Sequence, residues 1–172
     1  DIGTPGNAQD FGDLVAGTES HGSTQANSPT RGLFAGGGDS PNNAKIEFLT
    51  FSSSGGTTDF GDLTDTRSQT GNVSSTTRAV FAGGTGASAV IDTVQIGSLG
   101  NATDFGDLTR AINSFTGTSN NIRGIWAGGS PGPSNVIDYV TIAQRANAVD
   151  FGDLSAARDS AGSGSNGHGG LD

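Results

Sequence analysis

The strongest constraint on the fold is a five-residue segment, Asp-Phe-Gly-Asp-Leu, that occurs four times in 172 residues. The copies begin at Asp10, Asp59, Asp104 and Asp150, so the intervals between them are 49, 45 and 46 residues. Self-similarity at a near-constant period of this length is typical of repeat architectures, in which each unit buries its apolar face against its neighbours. The sequence therefore predicts one repeat domain that spans the whole chain.

The period divides this domain into three full repeats and one that is split between the two termini. The full repeats are 10–58, 59–103 and 104–149, and the partial repeat combines 150–172 with 1–9. Because Asp1 falls in the middle of a repeat, we expect either a processed chain or a fragment of a longer one.

Two further motifs recur with the same period. The motif Arg-x-apolar-aromatic-Ala-Gly-Gly begins at Arg31, Arg78 and Arg123, with a degenerate copy at His168–Leu171. Seven-residue apolar segments occupy 45–51, 90–96 and 136–142, and each ends eight residues before its Asp-Phe-Gly-Asp-Leu. Segments rich in β-branched and aromatic residues between Gly, Ser and Pro clusters predict strands, and Gly-Gly predicts a turn with positive φ.

The polar stretches 68–75 and 113–119 predict a further strand of small residues, which makes about four strands in each period of ~46 residues. No segment has helical periodicity, and a Gly-rich chain with 15% charged residues lacks the helix formers of a bundle. The expected fold class is therefore all-β, with antiparallel strands arranged in units the size of a β-propeller blade.

These motifs resemble the blades of kelch-type β-propellers. The resemblance lies in the apolar strand ending in Gly-Gly, the apolar strand after it, a later aromatic and a following Arg. The aromatics are Phe60, Phe105 and Phe151, and the arginines are Arg67, Arg110 and Arg158. Phe stands where kelch repeats usually carry Trp, and the Arg offset varies, which marks the set as divergent.

The amino-acid sequence of segments 101–109 and 166–171 also resembles that of repeat proteins of tailed bacteriophages, in particular virion and tail-fibre structural proteins. This resemblance implies a kelch-like propeller of about four blades. Two arrangements remain open: a four-bladed ring closed by pairing of the termini, which leaves no exposed strand edge, or an incomplete propeller completed by another copy or by an upstream segment.

Charge excludes several partners. The formal net charge is −9, which opposes binding to nucleic acid and to anionic membranes, and no apolar run approaches the ~20 residues of a membrane span. The absence of Cys excludes disulfides and thiolate metal sites. We expect no cofactor. Paired carboxylates three residues apart leave Ca²⁺ as a minor possibility, because hard cations need more oxygen ligands than one such pair supplies.

The repeated residues are expected to have structural roles, the two Asp of each copy as turn caps and the Phe and Leu as buried contacts between repeats. The acids Glu47, Asp92 and Asp138 lie within apolar strands and need partners if they are buried, so ion pairs with the motif arginines are expected. The structural motif residues are Asp10, Phe11, Asp13, Asp59, Phe60, Asp62, Asp104, Phe105, Asp107, Asp150, Phe151, Asp153, Arg31, Arg78 and Arg123.

No residue pattern indicates catalysis. His21 and His168 lack partners at catalytic or metal-ligand spacing, and Trp126 and Tyr139 stand at positions occupied by Phe elsewhere, which favours core packing. The predicted function is a non-enzymatic structural or appendage module of a phage virion or tail fibre. Its expected location is the virion or the extracellular space, and its expected partners are other virion proteins or copies of itself. The alternative is a propeller that binds surface glycans or a host receptor.

Overall fold

The computed structural model describes residues 6–15, 17, 19–22, 26–38 and 43–165. Within these ranges the chain is all-β and contains no helix, as the sequence predicts. Consequently, no helix in the described part of the chain is long and apolar enough to cross a membrane. The termini 1–5 and 166–172, including the degenerate motif His168–Leu171, lie outside the described residues.

Eleven strands form three antiparallel sheets, and within each sheet the strands lie side by side in chain order. Sheet 1 contains β1 (Arg31–Ala35), β2 (Lys45–Thr50) and β3 (Thr58–Asp62). Sheet 2 contains β4 (Gly71–Ser74), β5 (Arg78–Ala82), β6 (Ser88–Gln95) and β7 (Thr103–Ile112). Sheet 3 contains β8 (Thr116–Ser119), β9 (Arg123–Ala127), β10 (Ser134–Thr141) and β11 (Val149–Arg158).

The motif strands lie where the sequence predicts them. The Arg-containing motif forms β1, β5 and β9, the seven-residue apolar segments form most of β2, β6 and β10, and the small polar segments contain β4 and β8. The Gly-Gly pairs also have the expected positive φ, for example 60° at Gly83 and 125° at Gly84. Val, Ile and aromatic side chains favour these extended segments because they pack well on a pleated surface.

The expectation that Asp-Phe-Gly-Asp-Leu forms a turn is wrong for the second, third and fourth copies. These copies lie in the last strand of each sheet, in β3 (which ends at Asp62), β7 and β11, whereas the first copy, 10–14, lies in no strand. The register shifts by a β-bulge at the Phe just before the Gly, and the Gly residues in these strands have φ between 141° and 148°. A bulge beside Gly allows the strand to bend while it keeps its pairing with the strand before it.

Two apolar cores hold the three sheets together. Sheets 1 and 2 enclose one cluster, whose largest members include Ile46, Phe60 and Phe81. Sheets 2 and 3 enclose the other, with Phe105 and Trp126. Each core therefore lies between neighbouring sheets, and among the described residues no sheet has a core of its own.

A second landmark follows the same period. Ser20, Gln69, Ser114 and Ser160 have positive φ of 55°, 57°, 52° and 49°. They are separated by the same intervals as the pentapeptide, and successive members are linked where Gln69 N donates to Ser20 O at 2.9 Å and Ser160 N donates to Ser114 O at 2.8 Å. The left-handed conformation turns the chain from the last strand of one repeat towards the first strand of the next.

The pentapeptide Phe residues provide a matched pair for testing the inter-sheet core. Phe105 is 3% exposed and Phe151 is 51% exposed. We expect Phe105→Ala to lower the free energy of unfolding by about 3–5 kcal/mol, because it leaves a cavity between sheets 2 and 3. Phe151→Ala should lower it by less than about 1 kcal/mol. Urea denaturation followed by Trp126 fluorescence measures both, and equal losses would contradict a core that lies between the sheets.

Candidate functional site: the junctions between sheets

The repeated residues meet at three equivalent junctions, where an Asp-Phe-Gly-Asp-Leu segment contacts the loop that precedes the next copy. In the first junction residues 10–15 contact sheet 1, in the second sheet 1 contacts sheet 2, and in the third sheet 2 contacts sheet 3. In the second, Phe60 O accepts a hydrogen bond from Gly100 N at 2.8 Å, and Asp62 O accepts one from Ala102 N at 2.7 Å. The outer edge of one sheet is thus paired with backbone of the next.

Both backbone contacts recur in the first junction, and one of them recurs in the third. In the first, Phe11 O accepts from Gly55 N and Asp13 O accepts from Thr57 N, both at 2.8 Å. In the third, Asp107 O accepts from Ala148 N at 2.7 Å. These three contacts have the same geometry, so the junction repeats with the sequence period.

The Gly of the pentapeptide is needed because the two backbones come very close. A Cβ on Gly61 would lie 2.5 Å from Gly100 O, and a Cβ on Gly106 would lie 2.5 Å from Ala146 O. Real Cβ atoms essentially never approach this closely, so any side chain here would push the sheets apart. Gly152, at the same position of the last copy, has open space around it.

An Asn side chain stabilises each of the two internal junctions, which are the second (sheets 1 and 2) and the third (sheets 2 and 3). Asn101 Oδ1 accepts a hydrogen bond from Asp62 N at 3.1 Å, and Asn147 Oδ1 accepts one from Asp107 N at 3.1 Å. The sequence motifs alone predict no role for these residues. The signal that could have identified them is their constant position three residues before the first Asp of the next copy.

The in-strand acids also act across the junctions. Asp92 accepts from Thr64 N at 3.0 Å and from Thr64 Oγ1 at 2.7 Å. Asp138 accepts from Thr109 N at 3.1 Å and from Thr109 Oγ1 at 2.7 Å. Both acids are buried, so each is stabilised by the residue that follows Leu in the preceding pentapeptide.

Glu47 has the same role in the first junction. Its Oε2 accepts from Val15 N at 3.0 Å and from Thr57 Oγ1 at 2.6 Å. Val15 has no hydroxyl, and the neighbouring Thr57 supplies it instead.

The predicted ion pairs between the motif arginines and these acids are wrong. Arg31 Nη1 donates to Ile96 O at 2.8 Å, and Arg78 Nη1 donates to Ile142 O at 3.0 Å. The reason is strand register, because Arg78 pairs with Gln95 while Asp92 pairs with Phe81, at the other end of β5. The motif arginines therefore bind a backbone carbonyl of the next sheet instead of an acid.

Arg123 is the exception among the motif arginines. Its guanidinium lies 4.7 Å from the centre of the Tyr139 ring and 5.8 Å from that of Phe151, and it donates to no carbonyl of another sheet within the described ranges. It belongs to sheet 3, and the described residues contain no further sheet that could supply a carbonyl.

One buried ion pair occurs in the part of the chain that the structure describes. Arg67 Nη2 contacts Asp92 Oδ2, and the side chains are 2% and 0% exposed. Arg67 Nη1 also donates to Val90 O at 3.2 Å. Burial lowers the pKa of Arg67, and the negative charge of Asp92 partly offsets that effect.

The other post-pentapeptide arginines differ. Arg110 Nη2 donates to Gly128 O at 2.6 Å, and burial lowers its pKa. Arg158 is exposed and donates within its own strand, to Ala156 O at 3.4 Å. The variable Arg offset in the sequence thus corresponds to three different environments.

The described residues contain no group of three or more His, Asp or Glu side chains that could hold a metal ion. The first Asp of two copies caps the bulge instead: Asp10 Oδ1 accepts from Gly12 N at 3.0 Å, and Asp150 Oδ1 accepts from Gly152 N at 2.8 Å. The expectation of no cofactor, with Ca²⁺ as a minor possibility, stays a prediction.

The remaining candidate side chains lie apart from one another. The His21 ring packs edge-on against Phe34, with ring centres 6.5 Å apart. Trp126 is buried and its Nε1 donates to Gly71 O at 3.1 Å, whereas Tyr139 is half-buried. His168 lies outside the described residues.

Two open clefts accompany the junctions. One of about 620 Å³ lies between sheets 1 and 2 beside Arg31, and another of about 620 Å³ lies beside Arg123 at the open side of sheet 3. Hydroxyl, amide and guanidinium groups line both, and neither is lined by an acid or a His among the described residues.

Comparison with known proteins gives no assignment, because no protein-family model and no curated protein matches the chain.

Replacing Asp92 tests the charge at the second junction. Asp92→Asn keeps acceptor and donor groups for Thr64 but leaves the Arg67 charge buried without a counter-charge. We expect the free energy of unfolding to fall by about 3–5 kcal/mol. The matched control is Asp138→Asn, because Asp138 makes the equivalent bonds to Thr109 and acts on the charge of Arg110 without a direct ion pair; a loss of about 1 kcal/mol is expected there. Equal losses in urea denaturation would show that the ion pair adds nothing.

Replacing the bulge Gly tests the close backbone approach. Gly106→Ala and Gly152→Ala share the cost of an Ala at positive φ, and only the first places a Cβ against Ala146 O. Overpacking costs about 1–3 kcal/mol, so Gly106→Ala should be less stable than Gly152→Ala by that amount. Thermal and urea unfolding of the two variants measure the difference, and a smaller loss for Gly106→Ala would refute the steric argument.

Proposed function

We propose that the chain is a non-enzymatic structural repeat module, that its sheets are blades of a kelch-like β-propeller, and that it forms part of a phage virion or tail fibre. Successive antiparallel sheets of three and four strands in chain order support the propeller, as does the core between each pair of sheets. The recurring motifs quoted from the sequence support the phage assignment by resemblance.

One observation carries the structural role: the recurring buried acids Glu47, Asp92 and Asp138 all bind backbone or side chains across a junction or within it. A glycoside hydrolase needs two carboxylates that face each other across a substrate cleft. The clefts of the described chain offer hydroxyl and amide groups instead. The acidic groups that recur in each repeat therefore stabilise the packing of neighbouring repeats.

Glycan binding is the second candidate, and the cleft beside Arg123 is the observation that favours it. Thr118, Asn120 and Arg123 line this cleft, and hydroxyl, amide and guanidinium groups hydrogen-bond readily to sugar hydroxyls. A glycan or host receptor bound there would make the module an adhesion domain of the same virion. In either case the location is the virion or the extracellular space.

Fractionation of virus particles tests the structural proposal. Phage particles are prepared from cells that carry the gene for this chain and are banded by density. The fractions are then probed with an antiserum raised against the purified chain. We expect the chain to band with intact particles and immunogold to label the tail. Recovery of the chain only in the particle-free fraction would refute a virion role.

A glycan array and a panel of glycoside substrates separate the two alternatives. The structural proposal predicts no turnover and no retained glycan, whereas the adhesion alternative predicts glycan retention through the cleft beside Arg123. Adhesion would be favoured if Arg123→Ala abolished binding to the array while Arg31→Ala did not. Arg31 serves as the control because it already donates to Ile96 O of the next sheet. Turnover by the purified chain that exceeds background would contradict the proposal.

A further inference from the structure

Strand β11 presents a complete but empty copy of the junction surface. Phe151 is 51% exposed, whereas its counterparts Phe60 and Phe105 are 2% and 3% exposed. Open space surrounds Gly152 where Gly61 and Gly106 abut the backbone of the next repeat. Among the described residues, no loop of another repeat binds the outer edge of β11. This face is therefore built for a loop of the type that occupies the second and third junctions.

The N-terminal segment has the sequence of such a loop. Gly6-Asn7-Ala8 stands at the same distance before its pentapeptide as Gly100-Asn101-Ala102 and Ala146-Asn147-Ala148 do before theirs. In the internal junctions this loop supplies the Asn Oδ1 acceptor and the Ala N–H donor. Residues 6–9 are exposed, and Asn7 makes none of these bonds among the described residues.

The two complementary surfaces do not meet within one chain. Residues 10–13 are held on sheet 1 by their bonds to Gly55 and Thr57, which fixes where the preceding residues 6–9 can lie. Two continuous cores join sheets 1, 2 and 3 and so fix the position of β11. In this arrangement both surfaces are exposed at once, and a second copy carries the complement of each.

We infer that β11 of one copy docks the segment 6–8 of a second copy. Asn7 Oδ1 accepts from Asp153 N, Ala8 N donates to Asp153 O, and Gly6 N donates to Phe151 O, as the equivalent residues do in the second junction. Phe151 is buried by the incoming copy. The interface is head-to-tail, so it generates a ring if the rotation closes and a filament if it does not. This inference rests on the proposed structural function and specifies its partner.

Residues 160–165 provide independent support, because they already begin the next repeat on sheet 3. Ser160 N donates to Ser114 O at 2.8 Å, and Ser163 Oγ donates to Gly117 O at 2.6 Å. In the docked pair, one repeat is shared between chains. Its first part comes from residues 160–165 of one copy, and its last part comes from residues 6–15 of the other.

Cross-linking between mixed single-cysteine variants tests the docking, and the absence of native Cys makes each thiol unique. Gln9→Cys chains are mixed with Asp153→Cys chains and treated with a short bis-maleimide. We expect cross-linked heterodimers from this mixture. The control mixture replaces Asp153→Cys with Asp107→Cys, the same motif position with its docking site filled, and should yield at most one-tenth as much heterodimer.

A double variant carrying Gln9→Cys and Asp153→Cys in one chain distinguishes the alternative. At nanomolar concentration, an internal cross-link within monomers would overturn docking of a second copy in favour of closure by the chain's own ends. The absence of any specific cross-link in either experiment would overturn the docking itself.

Sedimentation equilibrium supplies the energetic test. Asn7→Ala removes one hydrogen-bond acceptor and should raise the dissociation constant roughly fivefold, whereas the adjacent Gln9→Ala should leave it unchanged. Unchanged association of Asn7→Ala, or a monomer at all concentrations, would contradict the inference. Particle fractionation reports separately on the proposed function, because a chain can associate head-to-tail and still be absent from virions.

Discussion

The edge of the last strand in each sheet is the feature on which the rest of the structure depends. An open β-edge with unpaired amides and carbonyls promotes uncontrolled association, and proteins usually cover or interrupt it. Here the next repeat covers it, through the backbone bonds of Phe60 and Asp62 with the loop at Gly100–Ala102. The bulge Gly permits the approach, and the buried acid of the next sheet binds the residue after Leu. Packing, polar pairing and strand order therefore all converge on one contact.

The strands with strong local signals could be predicted from sequence alone. Segments such as β5 and β6 combine β-branched and aromatic residues, and the structure confirms them at nearly the predicted bounds. The strand conformation of the pentapeptide could not be predicted, because Asp and Gly have low strand propensity. Tertiary contacts override that propensity, since a neighbouring repeat supplies hydrogen bonds that no local pattern reveals.

The partners of the acids could not be predicted either, because periodicity gives equivalence but not register. Arg78 and Asp92 recur in phase, yet the pairing of β5 with β6 places them at opposite ends of the strand. The residues with a left-handed backbone conformation could not be predicted for a different reason. Ser20, Gln69 and Ser114 share a backbone conformation but not a residue type, so only the structure identifies them as equivalent.

The bulge Gly at the centre of every junction has a consequence for how such a chain changes over generations. Because each junction involves only adjacent repeats and pairs the same pentapeptide backbone with the loop of the next repeat, an added repeat would meet its neighbours through contacts of a kind the chain already has. Unequal recombination between two copies of the pentapeptide coding sequence would add or remove one whole period and leave every remaining junction intact. The length of the array is thus free to drift, while the glycine at its seams is not.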